Sequence, residues 1–486
     1  MGSSAFADFL GWCLAFALPV FAMAGPLRRD QRAVQAYLVV VLLHIAAAAI
    51  YVYLPGILPT RGDSIVFHQY AAFRQSMMEG GFGIGSQFYR EYLAQVYSLV
   101  GPSFFFGAIL SIYAFALSVL VLAKFMELLS LHRGKAVVIL IFGALPTSVL
   151  YGTVPMREPY QVLFFVLACY YMVRFRLSSQ PLHLIAAIIF ALMMGLLHKG
   201  LIVYAPVLVV LMLLMRVDNR DSRLARRSGT YLHRFAAAAL AIGFVVLISG
   251  AAQKLQDVGG TEVLLSAMGG EDLIDFAEDR RDDEALTKGR TAYGVALNTS
   301  SPVQFLYSAA MILFYYMFTP FPWQIRNLMD LYAFGEVLLR VVCLFAVFRM
   351  WRRGSPAQSQ MVTLLMVVYF SMAFLWAAGT TNYGTATRHH MIHQWILLLL
   401  GVPALILMRS GFANGGPAAQ RAEPRGHSRA GGSRLEPRTY RLRSLSGSSS
   451  APPRLGDEWR LPRGIQITHG ASRLSSRGAV RPRRLT

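Results

Sequence analysis

Asp63, His68 and Tyr70 fall within the stretch GDSIVFHQYA at 62–71, and Asp63 is the one Asp between Asp30 and Asp218. Three more polar groups interrupt apolar sequence: Arg157 and Glu158 in YGTVPMREPY, His198 and Lys199 in LLHKG, and Tyr383, Arg388, His389 and His390 in NYGTATRHH. Trp323 closes the run PFPW at 320–323. These types make a coherent chemical set. Arg157, Lys199 and Arg388, with His389, can neutralise a phosphate or pyrophosphate, and arginine adds a two-pronged grip on its oxygens. Asp63 or Glu158, a carboxylate among cations, can take the proton of a hydroxyl as it attacks. His68, Tyr70, His198, Trp323 and Tyr383 are of the kinds that orient an acceptor or support the others.

Each group also has a plainer reading. Asp63 follows Gly62 and precedes apolar residues at 65, 66, 70, 73 and 77. That is helical spacing, so Asp63 can serve as an N-cap. Arg157-Glu158-Pro159 reads as a helix start, with the acid near the positive end of the dipole. His198 and Lys199 can be interfacial anchors, and paired histidines are often packing residues. The argument for a site rests on all of them falling at the ends of apolar runs on one side.

The elements that must hold these residues are membrane helices. The chain has 486 residues, 55% hydrophobic and 15% charged, with a mean hydropathy of +0.47. A soluble globule carries roughly 25% charged residues. Runs of the ~20 residues needed to cross a bilayer recur near 5–24, 34–54, 103–123, 135–152, 159–175, 182–197, 200–216, 235–252, 333–350, 360–378 and 389–409. The expected fold is therefore all-α and polytopic, a domain over 1–410 with about 11–12 transmembrane helices. The stretch 303–318, followed by Pro320 and Pro322, is expected to be re-entrant or interfacial. Broken backbone at membrane depth is tolerated where protein covers it.

Basic loops at 25–33, 124–135, 173–182 and 216–234 orient the bundle with those loops in the cytoplasm. The candidate residues then face outward, beyond the cytoplasmic (inner) membrane. The first outer loop covers 55–102. A second, at 253–302, holds ten acids against five bases. The run Ala22-Met23-Ala24 resembles a cleavage site, but no Lys or Arg precedes the apolar stretch, so a retained first helix is expected. Residues 411–486 hold fifteen arginines against four acids, which is +11 of the formal +21. This tail is poor in large apolar residues and is expected to be disordered and cytoplasmic. With the excess charge in a tail, nucleic acid is not an expected partner. Cys13, Cys169 and Cys343 all lie in apolar runs and form no thiol motif. No P-loop, dinucleotide-binding glycine motif, HExxH or nucleophile elbow is present, so a nucleotide sugar is not an expected direct donor.

Longer stretches resemble polytopic glycosyltransferases of the GT-C type, in the bacterial branch related to protein mannosyltransferases and aminoarabinose transferases. GDSIVFHQYA is similar to that family's first outer-loop Asp motif with its interfacial helix. FYREYLAQVYSLVGPSFFFGAILS is similar to its aromatic entry to the next span. ALPTSVLYGTVPMREPYQVLFFVLACYYMVR resembles the helix pair around its second outer loop, and GTATRHHMIHQWILLLLGVPAL its late arginine-bearing loop. The resemblance covers about 60–410, unevenly. It implies a GT-C-like bundle and transfer of a sugar from a polyprenyl-phosphate or polyprenyl-diphosphate donor to a hydroxyl of a glycan or protein. Asp63 would be the base or acceptor-orienting acid, Glu158 a second acid or a ligand to a divalent metal, and Arg388 the grip on donor phosphate. The chain departs from the family pattern in its extra first span, in Arg-Glu-Pro where many relatives carry Asp, and in lacking a large C-terminal periplasmic domain.

Two other readings fit the sequence. A polymerase or ligase of lipid-linked polysaccharide repeat units would use Arg157, Arg388 and His389 most. A transporter or flippase would place charges near mid-membrane between broken helices.

Overall fold

The computed structural model describes residues 4–23, 27–58, 62–74, 83–214, 291–293, 295 and 301–414. The expected span at 235–252, most of the acidic loop at 253–302 and nearly all of the tail at 411–486 lie outside the described residues. Those described form an all-α multi-pass membrane fold without a strand; one isolated bridge joins Ala292 to Asn382. The helices are α1 Ala5–Ala17, extended by a 3-10 turn to Met23, α2 Gln31–Tyr53, α3 Gly62–Arg74, α4 Ser86–Val100, α5 Phe104–Leu128, α6 Lys135–Ala144 and α7 Pro146–Gly152. They continue with α8 Glu158–Ser178, α9 Pro181–Leu196, α10 Lys199–Leu214, α11 Pro302–Phe318, α12 Leu328–Arg353, α13 Pro356–Ala378 and α14 Tyr383–Asn414.

Seven of the described helical stretches are long and apolar enough to cross a membrane, and counting the bent pair α6–α7 as one span gives eight. The seven match the expected spans beginning near 5, 34, 103, 159, 333, 360 and 389. The stretches at 182–197 and 200–216 are the shorter apolar helices α9 and α10, each of 16 residues. The stretch 303–318 forms α11, also short.

The expected span at 135–152 is occupied by two helices that meet at 60°. Pro146 lacks an N–H and keeps its predecessor out of the helical region. Leu145 is accordingly extended, at φ −53° and ψ 132°.

Short polar signals start the helices. Ser4, Asp30, Ser103, Asn327 and Ser355 each accept a backbone N–H of the first turn, satisfying one of the donors a helix start leaves open. At the α4–α5 joint, Gly101 has φ +92°, and a Cβ there would meet Ser4 at 2.6 Å. Glycine is therefore required for both conformation and space. Ser103 also donates to Asp8, tying α1 to the joint.

The core runs through α5, α8 and α14. The Tyr383–Arg409 window is 83% buried, against 28% for Ala5–Met23, so α14 is enclosed while α1 lies at the edge. That helix, its N-terminal part rich in histidine and arginine, brings distant segments together.

Candidate functional site

The clearest cluster of charge forms where α3, α8 and α14 meet. Arg388, five residues into α14, donates to Asp63 Oδ2 in the first turn of α3, across 325 residues of sequence. The same guanidinium places Nε 3.4 Å from Glu158 Oε1, at the start of α8. Arg157 Nε lies 3.7 Å from that oxygen. Two carboxylates and two guanidiniums thus share one place, with Arg388 as the bridge.

Burial grades across the cluster. Glu158 is 1% exposed, while the Asp63 side chain is 55% exposed. The Asp63–Arg388 arm is open to competition from a ligand, and the Glu158 arm is enclosed. Glu158 Oε2 and the Nε atoms of Arg157 and Arg388 have no hydrogen-bond partner among the described residues. At 3.4 and 3.7 Å the Glu158 contacts are ion pairs rather than hydrogen bonds.

The backbone around Arg157 is pinned. Arg157 Nη1 and Gln161 Nε2 both donate to the carbonyl of Leu197, each at 3.3 Å. This joins the start of α8 to the end of α9. Burial pulls the Arg157 guanidinium down from its ordinary value, and Glu158 pulls it back up. Arginine remains charged under either influence.

The other predicted residues divide into near neighbours and separate contacts. His389 stacks on Trp376, ring centroids 3.9 Å apart, and its Nδ1 meets Thr380 Oγ1 at 3.0 Å. His198 packs edge-on against the same indole at 4.7 Å, and its Nδ1 accepts the Gly200 N–H at 3.1 Å. Lys199 is exposed and opens α10, two residues beyond the carbonyl that Arg157 grips. His389 lies within electrostatic range of Arg388 and Arg157 and next to His198, while Lys199 packs beside Gly85.

His68, Tyr70, Trp323 and Tyr383 are engaged elsewhere. His68 Nδ1 lies 2.9 Å from Tyr97 Oη, whose own proton goes to the Ser103 carbonyl at 2.8 Å. His68 is therefore the donor of that pair, and burial holds its pKa below the ordinary value. Tyr70 donates to Glu91 at 2.9 Å. Tyr383 donates to Asp330 at 3.2 Å. Trp323 is 77% exposed and stacks on Phe321. The first two bind α3 to the α4 region, and Tyr383 joins α14 to α12.

Beside the cluster lies a cleft of about 470 Å³, lined by Leu14, Tyr89, Tyr92, Leu117, Tyr160 and Leu197 among others. Leu197 belongs to both features: its carbonyl receives Arg157, and its residue lines the cleft. Tyr160 stands two residues beyond Glu158 and packs against Tyr89 at 5.8 Å and Tyr92 at 5.6 Å. The apolar cleft and the arginine–carboxylate cluster are contiguous through Leu197. Sequence reasoning missed Gln161, Trp376 and the tyrosine wall, because neutral and aromatic residues in an apolar run carry no mark of a site.

A divalent metal does not fit at Glu158. Its neighbours are two arginines, and among the described residues no three His, Cys, Asp or Glu side chains gather as a metal-holding group. No protein-family model matches this sequence, and no curated protein matches it either.

Proposed function

We propose that this chain is a membrane glycosyltransferase that moves a sugar from a polyprenyl-phosphate or polyprenyl-diphosphate donor to a hydroxyl of a glycan or protein, at the outer face of the cytoplasmic membrane. The observation that carries the reading is the contiguity of the arginine–carboxylate cluster with the apolar cleft through Leu197. A lipid-linked phosphate needs cations for its head and an apolar surface for its chain.

In this reading Arg388 releases Asp63 to hold donor phosphate, and Arg157 assists. Asp63, the exposed carboxylate, accepts the proton of the attacking hydroxyl. The C–O bond to the donor phosphate breaks as the new glycosidic bond forms, and the phosphate leaves with its charge held by the guanidiniums. Glu158 is the buried counter-charge that keeps both arginines in place.

The test is the lipid-linked and surface glycan profile of a strain lacking the gene, rescued with wild type, Asp63→Asn or Arg388→Ala. At normal protein level, both variants should leave a glycan or protein one sugar short. Accumulation of single repeat units on the lipid would replace transfer with polymerisation. Full rescue by Asp63→Asn would remove Asp63 from the chemistry.

A second reading, movement of the lipid-linked glycan across the membrane, is favoured by one observation: Glu336 and Arg340 lie buried midway along α12. Accumulation of the complete lipid-linked glycan on the cytoplasmic face of the deletion strain would support it.

A further inference from the structure

Glu336 and Arg340 stand one turn apart in a 26-residue helix long and apolar enough to cross a membrane. They are 3% and 2% exposed. Ionisable residues at such positions are costly and call for named partners. The partners are the start of α7, just after its bend, and the end of α11. Glu336 Oε1 accepts the Thr147 N–H at 2.9 Å and the Thr147 hydroxyl at 2.6 Å, at the start of α7 just after its bend. Arg340 Nη1 donates to the Met317 carbonyl near the end of α11. His390 Nε2 meets the neighbouring Tyr316 carbonyl at 2.9 Å. Helix ends leave such groups open, so this arrangement is a clamp on two helix ends.

The clamp does not account for four further atoms. Glu336 Oε2, Arg340 Nε, His390 Nδ1 and Tyr316 Oη are all buried and have no hydrogen-bond partner among the described residues. They come from three helices, α11, α12 and α14. The rings of Tyr316 and His390 are 4.2 Å apart. Arg340 lies within electrostatic range of Tyr316, Glu336, Tyr369, His390 and His393. Buried polar atoms of this kind ordinarily have partners, in protein or in ordered water.

The chemistry of the four atoms selects the partner. His390 Nε2 faces a carbonyl, so it carries the proton and Nδ1 is an acceptor. Glu336 Oε2 is an acceptor, Arg340 Nε–H is a donor, and Tyr316 Oη can be either. An anion would meet Glu336, and a cation would meet Arg340. A hydroxyl both donates and accepts, and it suits all four.

We infer that the region enclosed by Tyr316, Glu336, Arg340 and His390 is a binding site for hydroxylic ligands inside the bundle, holding water or the hydroxyls of a sugar. The site begins one residue along α14 from His389, which borders the arginine–carboxylate cluster. The water source is independent of the function proposed above; the sugar source rests on it.

Radiolytic hydroxyl-radical labelling of the full chain in lipid nanodiscs tests this, because radicals formed from held water mark side chains that bulk solvent cannot reach. Met317 and Tyr316 report on the site, and Met126 and Met212, equally buried in apolar surroundings, are the controls. Labelling of Met317 and Tyr316 should run about tenfold or more above the controls. Labelling no faster than at Met126 and Met212 would overturn the proposal. Tyr316→Phe should slow labelling at Met317, and an unchanged rate there would count against the site. Added short-chain polyprenyl-phosphate sugar protects Met317 if sugar hydroxyls enter, and leaves fast labelling if the site holds water alone. Fast labelling without sugar protection leaves the site standing and the transfer reading to its own test.

Discussion

Arg388 and Arg340 each lie within a long apolar helix, and each reaches an oxygen on another segment. Their partners differ. Arg388 holds two carboxylates, one of them more than half exposed. Arg340 holds a main-chain carbonyl near the end of α11 and is almost fully enclosed. The Asp63 arm can be exchanged for a ligand at little cost, since exposed ion pairs are worth roughly 0–1 kcal/mol. An arginine that closes a helix end cannot leave without uncovering backbone polar groups. The same residue type therefore reads as chemistry in one place and as architecture in the other, and what decides is whether the partner can be replaced.

That contrast is sharpest under substitution. Arg340→Ala should have the largest effect, destabilising by about 3–5 kcal/mol, as expected when a buried charged group loses its partner. The measurement is folded yield and thermal midpoint in detergent, and near-normal yield would erase the distinction between the two arginines. Asp63→Asn should reverse the pattern. Transfer in a purified assay should fall by about 10²-fold or more, on the order of 3 kcal/mol of barrier, while the thermal midpoint stays close to wild type. A large loss of stability with intact activity would make Asp63 architectural.

A smaller effect is expected where the cluster meets the cleft. Leu117→Trp places bulk in the lining and should raise the apparent KM for a long-chain donor about tenfold, roughly 1.4 kcal/mol. A short-chain donor should be unaffected, and equal effects on both would remove the cleft from lipid binding. The smallest effect concerns pH. Burial lowers the His68 pKa in the folded chain, so the unfolded chain binds the proton more readily. Stability should fall as pH drops through about 6.5, the ordinary histidine value, by no more than about 1 kcal/mol. Thermal midpoints at pH 7.5 and 5.5 should separate more in wild type than in His68→Gln.

Much of the scaffold was legible. Apolar runs announced the long helices, the seven beginning near 5, 34, 103, 159, 333, 360 and 389. The pairing of Asp63 with Arg388 was legible only as a list of residues of suitable type. The chemistry of each was visible, but their meeting across 325 positions depends on how α3 and α14 pack. Glu336 and Arg340 carried a signal that went unread, a carboxylate and a guanidinium at helical spacing inside an apolar run. The bend at Leu145-Pro146 was overlooked for a related reason: hydropathy averages over a window and does not register one proline.

By itself the sequence determined that this protein is a bundle of apolar helices with a few polar residues at their ends, because burial in a bilayer demands long runs of one chemistry and those runs are read locally. Tertiary structure alone decided which polar residues face one another, which are clamps and which are open. Ion pairs and helix-end contacts act over a few ångströms, and only the packing of α14 among its neighbours brings such distances about.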